Sequence, residues 1–334
     1  MNLGLFGWTT NPFTLNIVPN LFVGYKKEMQ TLQETLESNT KCTVIVGDAG
    51  TGKTAMLRYI SDMPFNGFQY VYIPKPPKDE KGWESIFQKM LSRFDFGFRK
   101  PDIYQLPEKL NKKFSKKPCV LLVDEAHEAS GESLEWLRTF ADHCDNLFIV
   151  LASLKDSEFI FNIFRQRIGN KIELKGLDKL ETAELIKRRI EWAGGQGTGP
   201  FTHDCIEVIY NHSIGIPRAI LKCCNEIISH ATQKGISIID ASFLRSISNI
   251  NGICLNNLSE KQKIILEALD EYPQTPSELA DNLKWGKNRD HAVRAVNNML
   301  RRLMSMGLVE REKMGKCFKY KITAKFAALR KNEE

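Results

Sequence analysis

The run Gly47-Asp48-Ala49-Gly50-Thr51-Gly52-Lys53-Thr54 constrains this chain more than any other stretch. Its spacing is G-x-x-x-x-G-K-[ST]. It follows an apolar run, Cys42 to Val46, and opens a helical pattern that begins Ala55-Met56-Leu57. A strand, a glycine-rich turn and a helix in that order are the setting in which such a loop holds phosphates. Glycines let backbone N–H groups converge on an anion, and the helix N-terminus adds positive potential. Gly47, Asp48, Ala49, Gly50, Thr51, Gly52, Lys53 and Thr54 are therefore the expected nucleotide contacts. Lys53 is expected at the β- and γ-phosphates and Thr54 at Mg2+, so the expected ligand is ATP with Mg2+.

A phosphate loop of this kind needs an acid on a neighbouring strand. Val120-Leu121-Leu122-Val123-Asp124-Glu125 supplies two. Asp124 fits the Mg2+ shell, and Glu125 fits the carboxylate that polarises an attacking water. Two adjacent acids at the end of an apolar strand are costly without a cation nearby. The pair favours hydrolysis over nucleotide binding alone.

Around these motifs, short β-rich runs alternate with amphipathic segments. Strands are expected at Cys42–Val46, Gln69–Ile73, Val120–Val123, Leu147–Ala152 and Lys171–Leu174, with helices at Trp83–Phe94 and Glu132–Phe140. That alternation predicts a parallel sheet with crossover helices. From about Asp178 to Ile250 the strands stop, and Glu181–Trp192, Thr202–Asn211 and Pro217–Gln233 read as helices.

The order of motifs resembles that of AAA+ ATPases. Asn11-Pro12-Phe13 and Phe22-Val23-Gly24 precede the loop, and Asp124-Glu125-Ala126-His127 follows it. Gln166-Arg167-Ile168 leads to Leu174, Leu177 and Glu181-Thr182, and Gly215-Ile216-Pro217-Arg218 comes after Ser213. The motif text looks like the ExeA/TnsC-type ATPases, and the arrangement is similar to archaeal Orc1/Cdc6 initiators. The resemblance covers roughly residues 11 to 250. It implies that Ser153 takes the first sensor place, near the γ-phosphate or the water. It implies that Arg167 is an arginine finger reaching a neighbouring subunit's nucleotide, with Arg165 as a close competitor. It implies that Arg218 is the second sensor, touching the γ-phosphate of its own subunit. Tyr25-Lys26-Lys27 stands where many relatives have Arg.

The last part of the chain changes character again. Leu258–Tyr272 reads as a helix capped by Ser259. Thr275-Pro276-Ser277-Glu278 is a capping box that opens a helix to about Leu283. A third helix is expected from about Asp290 to Met306, stopped at Gly307, and then two short strands, Leu308–Lys313 and Cys317–Ile322. Helix, helix, longer helix and β-hairpin is the order of a winged helix, which places its third helix in the major groove of duplex DNA. Between residues 281 and 331 there are fourteen Lys and Arg against four acids, a surplus of +10 where the whole chain carries only +7. A localised basic face is the footprint of phosphate-backbone binding. Lys287, Arg289, Arg294 and Asn297 are candidates for base edges or phosphates, and Lys313, Lys316 and Lys319 for the backbone. Winged helices also serve as protein contacts, so that alternative stands. The basic run Lys109 to Lys117 reads as a solvated helix end or as a track for DNA in an oligomer.

The expected whole is an α/β P-loop AAA+ core at 1–176, a helical lid at 177–253 and a winged-helix DNA-binding domain at 254–334. The expected function is that of an ATP-dependent DNA-binding ATPase of the replication-initiator type, whose ATP state controls assembly on double-stranded DNA. Two alternatives are a transposition regulator that forms DNA-bound oligomers, and a signalling ATPase whose C-terminal part is a transcription-factor or protein-contact arm. A homo-oligomer with ATP at its subunit interfaces is expected, with a possible protein partner in replication or transposition. Eight cysteines without C-x-x-C or zinc spacing read as reduced thiols. With no run of ~18 apolar residues and no basic, apolar leader, the expected address is cytoplasmic, near the nucleoid.

Overall fold

The computed structural model describes residues 3–91, 101–155, 157–165, 167–247, 258–283, 285, 288–314 without 306 and 307, and 317–323. Lys287 and Lys316 lie outside the described residues, as does Gly307. The chain divides into two compact units. The first comprises Leu3–Gly199 and Gly215–Asn225, and the second comprises Pro200–Ile214 and the described residues from Glu226 onward.

The first unit is built on five parallel strands, β1 (Cys42–Gly47), β2 (Gln69–Ile73), β3 (Cys119–Val123), β4 (Leu147–Ser153) and β5 (Ile168–Leu174). Their order in the sheet is β2-β3-β4-β1-β5. β1, β3 and β4 are buried along their whole length. That explains why their sequences are apolar on both faces rather than alternating. The edge strand β5 alternates instead, and its Gly169-Asn170-Lys171 stretch is exposed. The sequence pattern therefore located only its last four residues.

The helices of this unit are α1 (Lys26–Glu37), α2 (Lys53–Asp62), α3 (Glu80–Met90), α4 (Leu106–Lys113), α5 (Gly131–Asp142), α6 (Glu158–Phe164) and α7 (Lys179–Trp192). Asp79 caps α3 by accepting from the Gly82 N–H at 2.9 Å, and Ser130 caps α5 by accepting from Ser133 at 3.1 Å. Asp178 and Glu181 form a capping box at the start of α7. Each such cap removes an orphan donor and stabilises its helix by ~1 kcal/mol. One face of the sheet packs with α3, α4 and α5 around Trp83, Phe87, Leu134 and Leu137, all fully buried. The Trp83 indole N–H donates to the Ser133 carbonyl at 2.9 Å and so joins α3 to α5.

In the second unit lie α8 (His203–Ser213), the second half of α9 (Pro217–Lys234) and α10 (Ala241–Ser246). There follow α11 (Glu260–Glu271), α12 (Pro276–Leu283), α13 (Arg289–Ser305) and the antiparallel pair β6 (Val309–Met314) and β7 (Cys317–Ile322). Ser259 caps α11 in a capping box with Gln262, and Thr275 and Glu278 exchange the corresponding bonds at α12. α13 buries Ala292, Val296, Leu300 and Leu303 against Ile265 and Leu279. That spacing follows one face of a helix. Gln274 pairs with Tyr320 through two backbone bonds of 3.0 and 2.8 Å. This bridge ties the α11–α12 turn to the hairpin, an arrangement compatible with a winged helix.

Candidate functional site

The phosphate loop runs from the end of β1 into α2. Gly50 and Gly52 adopt φ of 87° and 96°, which side-chain-bearing residues avoid. Gly50 has a second reason to be glycine, because a Cβ there would stand 2.9 Å from the Cβ of Arg218. The Arg218 N–H donates to the Gly50 carbonyl at 3.3 Å. The first turn of α9 is thus laid directly on the loop.

Lys53 is only 8% exposed, and its Nζ donates to the carbonyls of Gly47 (2.9 Å) and Asp48 (3.0 Å). Burial pulls its pKa below the ordinary lysine value, while the carboxylates of Glu125, Asp124 and Asp48 act in the opposite direction. A buried ammonium held only by loop carbonyls has capacity left for an anion. The first N–H groups of α2, those of Lys53 and Thr54 among them, have no partner within the helix.

Asp124 is 2% exposed at the end of β3. Its Oδ1 accepts from the Glu125 N–H at 2.9 Å, and its Oδ2 accepts from the Tyr72 hydroxyl at 3.0 Å. Tyr72 comes from β2, paired in register with Leu122 two residues before Asp124. Burial raises the Tyr72 phenol pKa, the Arg58 guanidinium beside it opposes that, and Asp124 adds to it. Glu125 takes φ 49°, a left-handed conformation unusual for a residue with a side chain. Strain of this kind gathers at functional sites, where the surroundings hold it in place. The Glu125 side chain is 43% exposed, and its Oε2 is 3.5 Å from the His127 Nδ1.

Ser153 ends β4, in register with Val46 of β1. It is fully buried, and its hydroxyl donates to Ser157 at 2.7 Å. Arg218 is exposed and lines the same cavity as the loop. Arg167, just before β5, places its Nε 2.8 Å from Asp142 Oδ1, and this hydrogen bond raises the guanidinium pKa. Arg165 is exposed.

A cavity of about 310 Å³ opens beside the loop. Gly50, Gly52, Lys53, Thr54, Glu125 and Arg218 line it with polar groups, and Ile17, Val18, Phe22, Leu185 and Leu221 line it with apolar ones. It therefore combines an anion-receiving wall with a wall suited to a flat apolar ring. Asp124 is not among the lining residues, and Ser153 and Arg167 are not either.

Two further side chains hold this site, and the motifs did not single them out for that task. The Tyr25 hydroxyl lies 2.7 Å from the Thr51 carbonyl and 2.6 Å from that of Lys175, so it ties the loop to the chain beyond β5. Burial, and then the nearby Glu181 and Glu28, raise its pKa. Lys155 places its Nζ 3.0 Å from Asp48 and 2.9 Å from Glu173. Burial works against this charge, but hydrogen bonds to the two carboxylates overcome it and raise its pKa.

The residues expected at DNA are distributed along α13 and the hairpin. Arg289 is exposed but forked onto Asp281 at 2.9 and 2.6 Å. Lys319 lies 3.9 Å from Glu278. Arg294 and Lys313 are exposed, and Asn297 is half-buried. Arg311 stands over the exposed Phe318 ring at 4.9 Å. Lys321 pairs with Glu312 at 2.9 Å. The basic surplus counted along the sequence is therefore partly neutralised within the module.

Residues 36–160 match the family model described as AAA domain. A Methanocaldococcus jannaschii protein described as an uncharacterized HTH-type transcriptional regulator is 30% identical over 224 residues. The match covers 62% of this chain and 53% of that protein, so the chain spans about half the length of this curated relative. Among solved structures, the Thermotoga maritima RuvB Holliday junction branch migration motor aligns with a TM-score of 0.60 at 19% identity. That alignment covers 96% of this chain and 98% of the other. The Aeropyrum pernix Orc1 protein in complex with DNA aligns at a TM-score of 0.47 and 14% identity. The fold is that of a P-loop AAA+ ATPase. Among the described residues no helix is long and apolar enough to cross a membrane.

Proposed function

We propose that this chain binds and hydrolyses ATP with Mg2+ at the loop Gly47–Thr54 and uses its nucleotide state to control assembly on double-stranded DNA. The observation that carries the reading is the meeting of Lys53, Thr54, Glu125 and Arg218 at one cavity, with Asp124 adjoining. Lys53 and Thr54, with the N–H groups of the loop, would hold the phosphates. Thr54 and Asp124 would hold Mg2+, and the chemistry of the donors fits it: a hydroxyl and a carboxylate, both hard oxygen ligands. Bound Mg2+ supplies positive charge against the charge that develops on the transferred phosphoryl group. Glu125 orients a water, and its strained backbone fixes where the carboxylate stands. Ser153 and Arg218 act from their own chain as sensors, and Arg167 acts on a neighbouring subunit's nucleotide.

The DNA-binding surface we propose is α13 with the hairpin. Arg294 and Lys313 are exposed cations of this surface with no ion-pair partner among the described residues, Asn297 is a base-edge candidate, and Lys287 and Lys316 belong to the same basic stretch. Arg289 and Lys319 join only if they exchange Asp281 and Glu278 for phosphate. An initiator-type role is the first use of such a machine. A transcriptional role is the second, favoured by the helix-turn-helix description of the M. jannaschii relative. Electron microscopy of the protein on duplex DNA, with and without ATP, tests the proposal. ATP-dependent oligomers on DNA are expected. Identical particles with and without ATP, or no DNA-bound particles at all, would reject it. Footprints at defined sites would separate the initiator and transcriptional uses from a transposition regulator, which should coat DNA without sequence preference.

A further inference from the structure

Arg189 stands on α7 and is 6% exposed. Buried guanidinium groups are ordinarily matched by a carboxylate, because an uncompensated charge is costly to bury. The described partners of Arg189 are instead three backbone carbonyls. Nη1 donates to Pro12 at 3.5 Å and to Thr14 at 3.2 Å, and Nη2 donates to Asn16 at 3.2 Å. Its Nε has no hydrogen-bond partner among the described residues. Burial holds its pKa below the usual arginine value. An apolar side chain at this position would avoid that cost, so the choice of Arg asks for another reason.

The segment it grips supplies one. Leu15, Asn16, Ile17 and Val18 line the cavity beside the phosphate loop, and so does Arg189 itself. The segment has no regular structure between Asn11 and Val18, so no ladder of its own fixes it. Phe13 within it is buried against Trp8, and further hydrogen bonds reach helices. The Thr9 N–H and hydroxyl both reach the Ala193 carbonyl at the end of α7, at 2.9 and 3.0 Å. The Asn11 amide donates to Asn225 of α9 at 2.8 Å. α9 is also the helix whose first turn carries Arg218. The strap from Thr9 to Asn16 is thus held by α7 and α9.

We propose that Arg189 is a positioning residue for the base side of the nucleotide: by gripping the carbonyls of residues 12, 14 and 16 it holds the strap as the wall against which the base packs. This rests on the ATP reading above. The planar fork of arginine suits the task, because it reaches several carbonyls at once from one rigid group. In this proposal the phosphates are held by Lys53, Thr54 and the loop N–H groups, and Arg189 acts only through the strap.

The test compares a ligand that has a base with one that lacks it. Binding of ATP and of inorganic tripolyphosphate, each with Mg2+, is measured by isothermal titration on the full chain. For Arg189→Met the expected result is at least a tenfold loss of ATP affinity, with tripolyphosphate affinity unchanged within twofold. Arg189→Lys, which keeps a cation but not the fork, should lose ATP affinity by an intermediate factor and again spare tripolyphosphate. It is read alone if the Met variant does not fold. Equal losses for the two ligands, or unchanged ATP affinity, would overturn the proposal while leaving the ATP reading intact. A wild-type protein that binds neither ligand would overturn both.

Discussion

At the phosphate loop the cation is buried and held by the backbone, whereas on α13 and the hairpin Arg289, Lys319 and Lys321 are paired with acids and Arg294 and Lys313 are exposed. Lys53 is fixed by two loop carbonyls, while Arg289 is forked onto Asp281 and Arg294 lies open. The two regions teach different lessons about charge. In the loop, position is everything: the spacing of glycines and the turn into α2 decide where the ammonium sits, and net charge is irrelevant. On α13 and the hairpin, a count of basic residues overstates what is available, because Asp281, Glu278, Glu310 and Glu312 already pair with three of them, Arg289, Lys319 and Lys321.

The largest expected effect extends this contrast into the first unit. Arg167 is tied to Asp142, and Arg165 is exposed. An arginine finger contributes on the order of 10³-fold or more to turnover. Arg167→Ala is expected to lower steady-state ATP turnover of the assembled protein by about that factor, with Arg165→Ala costing less than about tenfold. The reverse result would mean that the exposed cation acts and the paired one is structural, as proposed for α13.

A smaller effect is expected at DNA. Each phosphate neutralised by a protein cation adds about 0.9 to the slope of log affinity against log salt. Arg294→Ala with Lys313→Ala should therefore reduce that slope by about 2, while Arg289→Ala should leave it nearly unchanged. Titrations of duplex DNA at several salt concentrations measure it. An equal loss from Arg289→Ala would show that the Asp281 pair opens on binding, and that the count along the sequence was the better guide.

The parts of this molecule legible in the sequence are those governed by local rules. The three central strands were readable because burial on both faces leaves an unbroken apolar run. The loop was readable because its glycines answer to backbone geometry. Capping at α11 and α12 was readable because Ser259 and Thr275 satisfy helix ends within three residues. What was not legible depends on register and on long-range approach. Tyr72 reaches Asp124 only because β2 lies beside β3, and nothing local marks it. Lys155 bridges Asp48 and Glu173 across β4, β1 and β5, a placement that only the strand order creates. Tyr25 was visible as a departure from the usual Arg, but its bonds to Thr51 and Lys175 span 26 and 150 residues of chain. Arg189 reads as one more helix cation in the sequence, and only the fold buries it.

The most direct test of the central claim, that Lys53, Asp124, Glu125 and Arg218 form one ATP-hydrolysing site, compares wild type with Glu125→Gln for ATP binding and turnover in the same preparation. Removing a carboxylate that acts on the attacking water costs roughly 10²–10⁴-fold in rate. The expected result is ATP affinity within a few-fold of wild type and turnover lower by about 100-fold or more. Turnover equal to that of wild type, or a wild-type protein that binds no ATP, would contradict it.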